Sequence, residues 1–229
     1  MFSSTVVTIL CIVYGALLLA YMIIANNGSP FNLRALNKFI LSAGFNAIAV
    51  VGTVRTMQWL PFQWRLIVGL IFCFFGDMLL LKSFSKGGFA FGIGNIFIFG
   101  YLCHYLAAKG VPFSGVWFFI LLTAIPFICM VTLDDKGIIP LKKGIDVIYP
   151  LYIISVSMHG MLSLIGLFYL HDLKSVLLMV GSVLFMISDI ILWINKFKYP
   201  KGWFHAMNSL TYFSGMLMIA LSAAIPFTA

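Results

Sequence analysis

Residues 74–81, Phe-Phe-Gly-Asp-Met-Leu-Leu-Leu, set one carboxylate, Asp77, inside a run that is apolar enough to lie in a membrane. Residues 187–192, Ile-Ser-Asp-Ile-Ile-Leu, set Asp189 in similar surroundings in the other half of the chain. In both stretches a small residue precedes the aspartate and a leucine stands three positions after it. An ionisable side chain is costly to bury in lipid, so each aspartate is a candidate functional residue. The pair is a stronger signal than either aspartate alone.

The composition excludes an ordinary soluble domain. The 229 residues are 62% hydrophobic and only 9% charged, with a mean hydropathy of +1.10, whereas charged residues make up about 25% of a typical soluble domain. The net charge of +8 would suggest nucleic acid in a soluble protein, but the 14 lysines and arginines lie almost entirely between apolar runs. They are typical of topology signals and lipid-headgroup contacts, so we expect membrane lipids and no nucleic acid as partners.

Eight apolar runs are each long enough to cross a bilayer, which takes about 20 residues. The sequence therefore predicts an all-α bundle of eight transmembrane helices in one domain, residues 1–229. The runs, numbered as spans 1 to 8, cover residues 4–25, 37–54, 64–82, 89–108, 113–132, 145–170, 174–195 and 204–226. Helix-breaking and polar residues separate many of them, at 26–30, 87–88, 110–112, 134–137 and 200–202.

The distribution of positive charge predicts the orientation, because cytoplasmic loops carry the excess of lysine and arginine. Ten of the 14 lie in the loops after spans 1, 3, 5 and 7, and four lie on the other side. We therefore expect a multi-pass protein of the cell (inner) membrane with both termini outside the cytoplasm. Asp77 and Asp189 then share one depth, roughly 8 to 10 Å inside the cytoplasmic end at 1.5 Å per residue.

Polar side chains on the even-numbered spans lie at a similar depth, within about 6 to 14 Å of the cytoplasmic end. They are Asn46, Asn95, Tyr149, Tyr152, Asn208, Thr211 and Tyr212. Together they predict a polar layer at the level of the carboxylates, although each could instead bond to a neighbouring helix as structural glue. The two halves of the chain, 1–110 and 111–229, each carry an aspartate on their third span and an asparagine on their fourth. This pattern suggests a parallel repeat about an axis along the membrane normal.

Two interpretations of the aspartates stay open. Lys82 and Lys196 could reach back to pair with them locally while extending toward the interface. Alternatively, two carboxylates in one buried site can hold a proton on one and a negative charge on the other, which suits a general acid and a partner base.

Other potential ligands are weaker signals. His104 and His159 fall in the outer part of spans 4 and 6, where a hydrogen-bonded core histidine is expected rather than a metal ligand. His205 lies at the cytoplasmic rim. The cysteines lack the paired spacing of a disulfide framework or a zinc site; they are Cys11, Cys73, Cys103 and Cys129.

The order of these features resembles the lysoplasmalogenases, also called YhhN-like membrane proteins. The similar positions are Lys38; Gly76-Asp77 before leucines; Phe91-Gly92 through His104-Tyr105; Pro150, Tyr152 and Met158; Gly181, Phe185, Ser188-Asp189 and Leu192; and Thr211-Tyr212. They extend over most of the chain, and the Gly-Asp and Ser-Asp pair in this order is the most specific part. The sequence departs from the family pattern at Phe39, where proline is frequent, and near Met216, where a glutamine is frequent.

The resemblance implies hydrolysis of the vinyl ether bond of a lysoplasmalogen, which gives a fatty aldehyde and glycerophosphocholine or glycerophosphoethanolamine. One of Asp77 and Asp189 would be the acid and the other its partner base, by analogy with the carboxylate pair of glycosidases, and the sequence leaves both assignments open. Lys38, Lys82 and His205 would hold the phosphate, and Asn46, Asn95, Tyr152, Asn208 and Tyr212 would complete the substrate site. The lysophospholipid is the expected substrate, and no metal or organic cofactor is expected.

Three rival interpretations remain. A proton-coupled transporter would also carry paired intramembrane aspartates, but no apolar run is interrupted by glycine or proline at matching places in both halves. An intramembrane aspartyl protease also uses two membrane carboxylates, but Phe74 stands where its Gly-x-Gly-Asp motif needs glycine. A purely structural membrane protein is the third.

Overall fold

A computed structural model describes residues 4–27, 30–56, 62–112, 148–197 and 202–227. These residues form seven helices and no strand: α1 Ser4–Asn26, α2 Phe31–Thr56, α3 Gln63–Leu80, α4 Phe84–Ala108, α5 Ile148–Tyr169, α6 Leu173–Phe197 and α7 Gly202–Ser222. Within the described ranges, five helices, α1 to α4 and α6, are long and apolar enough to cross a membrane. The prediction of an all-α multi-pass membrane protein is confirmed. Span 5 lies outside the described residues, so the count of eight helices stays a prediction.

The boundary predicted at Gly87-Gly88 is wrong, because both glycines lie inside α4. That helix begins at Phe84, and the backbone N–H of Lys86 donates to the hydroxyl of the preceding Ser83 at 3.5 Å. Gly87 is needed for packing rather than for a turn: a Cβ added there would lie 2.6 Å from Cγ of Leu80. The absent side chain lets the start of α4 fold back closely on the end of α3.

The other end of α4 stops where the sequence predicts. Gly110 has a φ of +70°, which glycine adopts without strain. Its N–H donates to the carbonyl of Ala107 and the N–H of Val111 donates to that of Leu106, both at 3.0 Å. This pair of hydrogen bonds is the Schellman motif that closes a helix.

The helices are arranged as a ring. Helices α2 to α7 each contact the next in chain order, and α7 returns to α2. Helix α1 lies outside the ring against α2 and α7. Many of its apolar side chains, such as Ile9, Ile12 and Ile23, are more than half exposed, as expected for a helix that faces lipid.

Two pairs of adjacent helices, α3 with α4 and α6 with α7, cross closely at a glycine of each helix. A Cβ added to Gly69 of α3 would lie 3.0 Å from the carbonyl oxygen of Gly94 of α4, and one added to Gly181 of α6 would lie 2.7 Å from that of Gly215 of α7. Small residues let membrane helices approach this closely. Gly69 and Gly181 each stand eight residues before an aspartate, Asp77 or Asp189. The matched crossings support the predicted repeat of two halves, which stays a prediction.

A polar cluster lies at the end of the bundle where α4 ends and α6 begins. Asp172 caps α6 by accepting from the hydroxyl of Ser175 at 2.5 Å and from its backbone N–H at 3.2 Å, and it pairs with Lys109 of α4 at 3.3 Å. Burial opposes its ionisation, but the two Ser175 hydrogen bonds and the Lys109 charge hold the pKa of Asp172 below its usual value of 3.8. Lys174 donates to the carbonyl of Ile225 at 2.7 Å, so the cluster also fixes the residues after α7.

Candidate active site

Asp77 is buried in the last turn of α3, with 1% of its surface exposed. Its carboxylate is held by three donors from two other helices. Lys38 Nζ of α2 lies 3.1 Å from Oδ1. The hydroxyls of Ser42 in α2 and Tyr212 in α7 each donate to Oδ2 at 2.7 Å. Three helices therefore meet at this one side chain.

The local sequence explains how this junction forms. Lys38 and Ser42 stand four residues apart on α2, so both project from the same face toward α3. Gly76 provides the space on the other side, because a Cβ there would lie 2.7 Å from the ring of Phe91. That ring packs edge-on against Tyr212 with their centroids 5.8 Å apart, and so it supports the hydroxyl that reaches Asp77.

This set of donors favours the ionised form of Asp77. Both carboxylate oxygens accept hydrogen bonds, and one of the donors is a lysine ammonium. A buried ion pair offsets the cost of leaving water only when further hydrogen bonds satisfy its remaining lone pairs. Ser42 and Tyr212 supply those bonds, so the junction is built to hold a fixed negative charge beside a fixed positive one.

Asp189 lies in α6 with 4% of its surface exposed. The serine before it links α6 to its neighbour: the hydroxyl of Ser188 donates to the carbonyl of Phe185 at 2.7 Å, and the carbonyl of Ser188 accepts from Nδ2 of Asn208 in α7 at 2.6 Å. These bonds fix the backbone at the level of the carboxylate.

Both aspartates line one cavity of about 760 Å³, which is within the range of about 300 to 1,000 Å³ typical of small-molecule sites. Its polar wall also includes Lys38, Lys82, Lys196, His205, Asn208, Ser209 and Tyr212, and its apolar wall includes Leu80, Leu81, Phe84, Phe91, Leu192 and Phe213. Residues from the ends of α3 and α6 and from the starts of α4 and α7 form the mouth. That these helix ends face the cytoplasm, as the distribution of lysine and arginine predicts, stays a prediction.

The structure brings most of the predicted site residues together. Lys38, Lys82, His205, Asn208 and Tyr212 line the cavity with the two aspartates. Lys38 is 9% exposed, and it lies beside a carboxylate rather than at the rim. The side chain of Tyr152 lies outside the described residues.

Asn46 and Asn95 do not line the cavity and instead join helices. Nδ2 of Asn46 donates to the carbonyls of Ser42 at 3.0 Å and Leu70 at 3.2 Å. Nδ2 of Asn95 donates to the carbonyl of Phe91 at 3.1 Å, and its Oδ1 lies 2.9 Å from Nδ1 of His159. Both asparagines therefore bond to neighbouring helices, which is the structural role that the sequence offers as the alternative for residues of the polar layer.

His159 is a core histidine as predicted: it is fully buried and contacts Asn95. The same prediction is wrong for His104, which is exposed and contacts Arg65 and the carbonyl of Gly100 at 3.0 Å. No cluster of three histidine, cysteine or carboxylate side chains within the described ranges could hold a metal ion.

The predicted site does not include several of the residues found there, and three of them bear on the carboxylates or the mouth: Ser42, Phe91 and Lys196. Ser42 is the easiest to find in retrospect, because it stands one helical turn after Lys38. The sequence points to Phe91 only through the family resemblance. It offers Lys196 only as a local partner for Asp189, yet Lys196 lines the cavity mouth.

Comparison with known proteins gives a family match over most of the chain. The model of the YhhN family matches residues 33–223. Over 166 residues the chain is 25% identical to Lysoplasmalogenase TMEM86A of Bos taurus. That match covers 71% of this chain and 66% of the bovine protein, just under two thirds of its length. No solved structure matches.

Proposed function

Since the chain belongs to the YhhN family, we propose that it is a membrane lysoplasmalogenase that hydrolyses the vinyl ether bond of 1-alkenyl lysophospholipids. The products are a fatty aldehyde and glycerophosphocholine or glycerophosphoethanolamine. The observation that carries the proposal is the pair of buried carboxylates, Asp77 and Asp189, that line one cavity. The bovine relative is named as a lysoplasmalogenase, which supports the choice of substrate.

The reaction needs an acid and a water molecule. A proton is added to the second carbon of the vinyl group, and the electron pair of the double bond forms the new C–H bond. The first carbon becomes an oxocarbenium ion, which water attacks. The resulting hemiacetal loses the glycerol oxygen as an alcohol and leaves the aldehyde. The proton released by water replaces the one that was consumed, so the reaction uses one water and no other reactant.

The contacts of Asp77 support distinct roles for the two aspartates. Lys38, Ser42 and Tyr212 all donate to Asp77, so this carboxylate serves as the anion that orients water and stabilises the oxocarbenium ion. Asp189 is then the residue that delivers the proton. The role that each carboxylate takes follows from its surroundings, as in other two-carboxylate enzymes.

Aromatic rings surround the place where the cation would form. Phe91 and Tyr212 both line the cavity, and Phe185 packs against them with centroid distances of 6.2 and 5.5 Å. The face of an aromatic ring attracts a cation. These rings therefore add to the stabilisation that Asp77 gives to the oxocarbenium ion while they keep bulk water away.

One assay tests this function directly. Purified protein in detergent receives a 1-alkenyl lysophospholipid or its 1-acyl counterpart in D₂O, and the aldehyde is trapped as it forms. We expect aldehyde from the alkenyl substrate alone, with one deuterium on the carbon next to the carbonyl. D77N and D189N should each lose at least about a hundredfold in rate, in line with the contribution of acid–base groups. Full activity in both variants, or aldehyde without deuterium, would contradict the mechanism.

A proton-coupled transporter is the second candidate, and the buried Lys38–Asp77 pair favours it, because such pairs also mark proton pathways. Reconstitution into liposomes with a pH-sensitive dye separates the two functions. Proton flux that D77N abolishes, together with no aldehyde release by the wild type, would favour the transporter over the hydrolase.

A further inference from the structure

The lysine nearest the carboxylates cannot bind a substrate phosphate without breaking the site. Lys38 pairs with Asp77 at 3.1 Å, and its side chain is 11% exposed. If Lys38 turned toward a phosphate, Asp77 would be left buried without its cation, which is strongly unfavourable. Recognition of the phosphate must therefore come from other cations of the cavity.

Two such cations stand at the mouth. Lys82 follows the end of α3 and Lys196 lies in the last turn of α6; both are exposed and both line the cavity. The ion pairs found within the described residues involve neither of them. Lys196 is positioned by an aromatic contact, with its Nζ 5.6 Å from the ring centroid of Phe84.

The spacing between Lys196 and Asp189 matches the substrate. Lys196 stands seven residues after Asp189, which places both on one face of α6, roughly 10 Å apart along the helix axis. In a 1-alkenyl lysophospholipid, seven covalent bonds separate the phosphorus from the vinyl carbon that takes the proton. This is about 9 Å when the chain is extended, at about 3.8 Å for every three bonds. A phosphate at the mouth thus places the vinyl group beside the carboxylates.

We propose that Lys82 and Lys196 form a phosphate-binding pair that selects single-chain phospholipids over neutral single-chain ethers and sets the depth of the vinyl group. The inference rests on the proposed function, and it identifies the phosphodiester as the recognised part of the headgroup. The alkenyl chain lies along the apolar wall that Phe91 and Leu192 help to form.

The test uses K82Q, K196Q and the double variant in the full-length protein. K86Q is the matched control, because Lys86 is exposed at the start of α4, at the same end of the bundle, but does not line the cavity. The first measurement is kcat/KM for a 1-alkenyl lysophosphocholine relative to a 1-alkenylglycerol, which lacks the phosphate. Each single variant should lower this ratio about fivefold and the double variant about twentyfold, whereas K86Q should change it less than about twofold.

The second measurement needs no turnover. Calorimetric titration follows the binding of a saturated 1-O-alkyl lysophosphocholine, a 1-O-alkylglycerol and inorganic phosphate. We expect the lysophospholipid analogue to bind more tightly than either of the others and K82Q and K196Q to remove most of its advantage over the alkylglycerol.

The outcomes separate this proposal from the proposed function. If the wild type releases no aldehyde but the lysines still control binding of the analogue, the hydrolase is wrong and the phosphate pair stands. If aldehyde forms but K82Q and K196Q keep the wild-type preference for the lysophospholipid over the alkenylglycerol, the assignment of the phosphate-binding pair is wrong. Inorganic phosphate that binds as tightly as the lysophospholipid analogue would overturn the assignment to a lipid.

Discussion

The Lys38–Asp77 ion pair predicts a large energetic coupling between two residues on adjacent helices. The side chains are 11% and 2% exposed, so solvent screens the pair little. K38M would leave Asp77 buried without its cation, and D77N would leave Lys38 buried without its anion. Each change should lower the free energy of unfolding by about 3 to 5 kcal/mol, the usual cost of breaking a buried pair.

The double variant K38M/D77N removes both charges and leaves neither one unpaired. Replacing a buried ion pair by neutral groups is often nearly neutral for stability, so the double variant should lose no more than about 3 kcal/mol. The two single losses add to about 6 kcal/mol or more, which makes the coupling at least about 3 kcal/mol. Unfolding in detergent micelles with increasing SDS, followed by circular dichroism, measures all four proteins.

Lys82 gives the control cycle, because it is the lysine that the sequence offers as a local partner for Asp77. K82M and D77N should be additive within about 0.5 kcal/mol, as independent sites are. Additive effects in the Lys38 cycle, or strong coupling in the Lys82 cycle, would show that the wrong ion pair has been assigned.

Three further predictions follow from the contacts at the two ends of the bundle. Y212F removes one hydroxyl donor to Asp77 and keeps the ring, so kcat for aldehyde release should fall by about tenfold or more with KM little changed; an unchanged kcat would contradict the anion role. G76A forces a methyl group into an aromatic ring and should cost about 1 to 3 kcal/mol of stability in SDS unfolding, whereas G88A, whose Cβ would meet nothing within 4 Å, should be neutral or slightly stabilising. Because the pKa of Asp172 is lowered in the folded protein, its stabilising effect is present above the unfolded pKa and is lost as pH falls through the folded value. The unfolding temperature should therefore fall more between pH 7 and pH 3 for the wild type than for D172N. Equal falls would contradict the stabilising role of ionised Asp172 at the start of α6.

The sequence predicts that the two carboxylates are buried and lie close to one site, because a charge inside an apolar run is costly and therefore needs a specific role. Both are buried and line one cavity. Asp77 and Asp189 stand in matched apolar stretches, and position along a helix axis translates directly into depth. Depth alone does not say which way a side chain points. Asn46 and Asn95 bond to neighbouring helices instead of lining the cavity, and this direction depends on the rotation of each helix within the ring.

Hydropathy does not predict the partner of Asp77, because it places the start of α2 too late. Residues 31–36 include Asn32 and Arg34, which are not typical of a membrane span, so the predicted apolar run begins at 37. The helix begins at Phe31, and Lys38 therefore lies two turns inside it rather than at the rim. Tertiary packing extends a helix beyond its apolar stretch, and hydropathy cannot show this.

The three contacts of Asp77 also bear on the order in which the chain enters the membrane. Lys38 and Asp77 belong to helices that are consecutive in the chain, so α2 and α3 can insert as a hairpin whose opposite charges neutralise each other. Tyr212 follows Asp77 by 135 residues and is synthesised much later. An insertion intermediate that ends before α7 would thus hold Lys38 and Asp77 in lipid as a neutralised pair. The carboxylate would receive its last donor, the Tyr212 hydroxyl, only when α7 inserts.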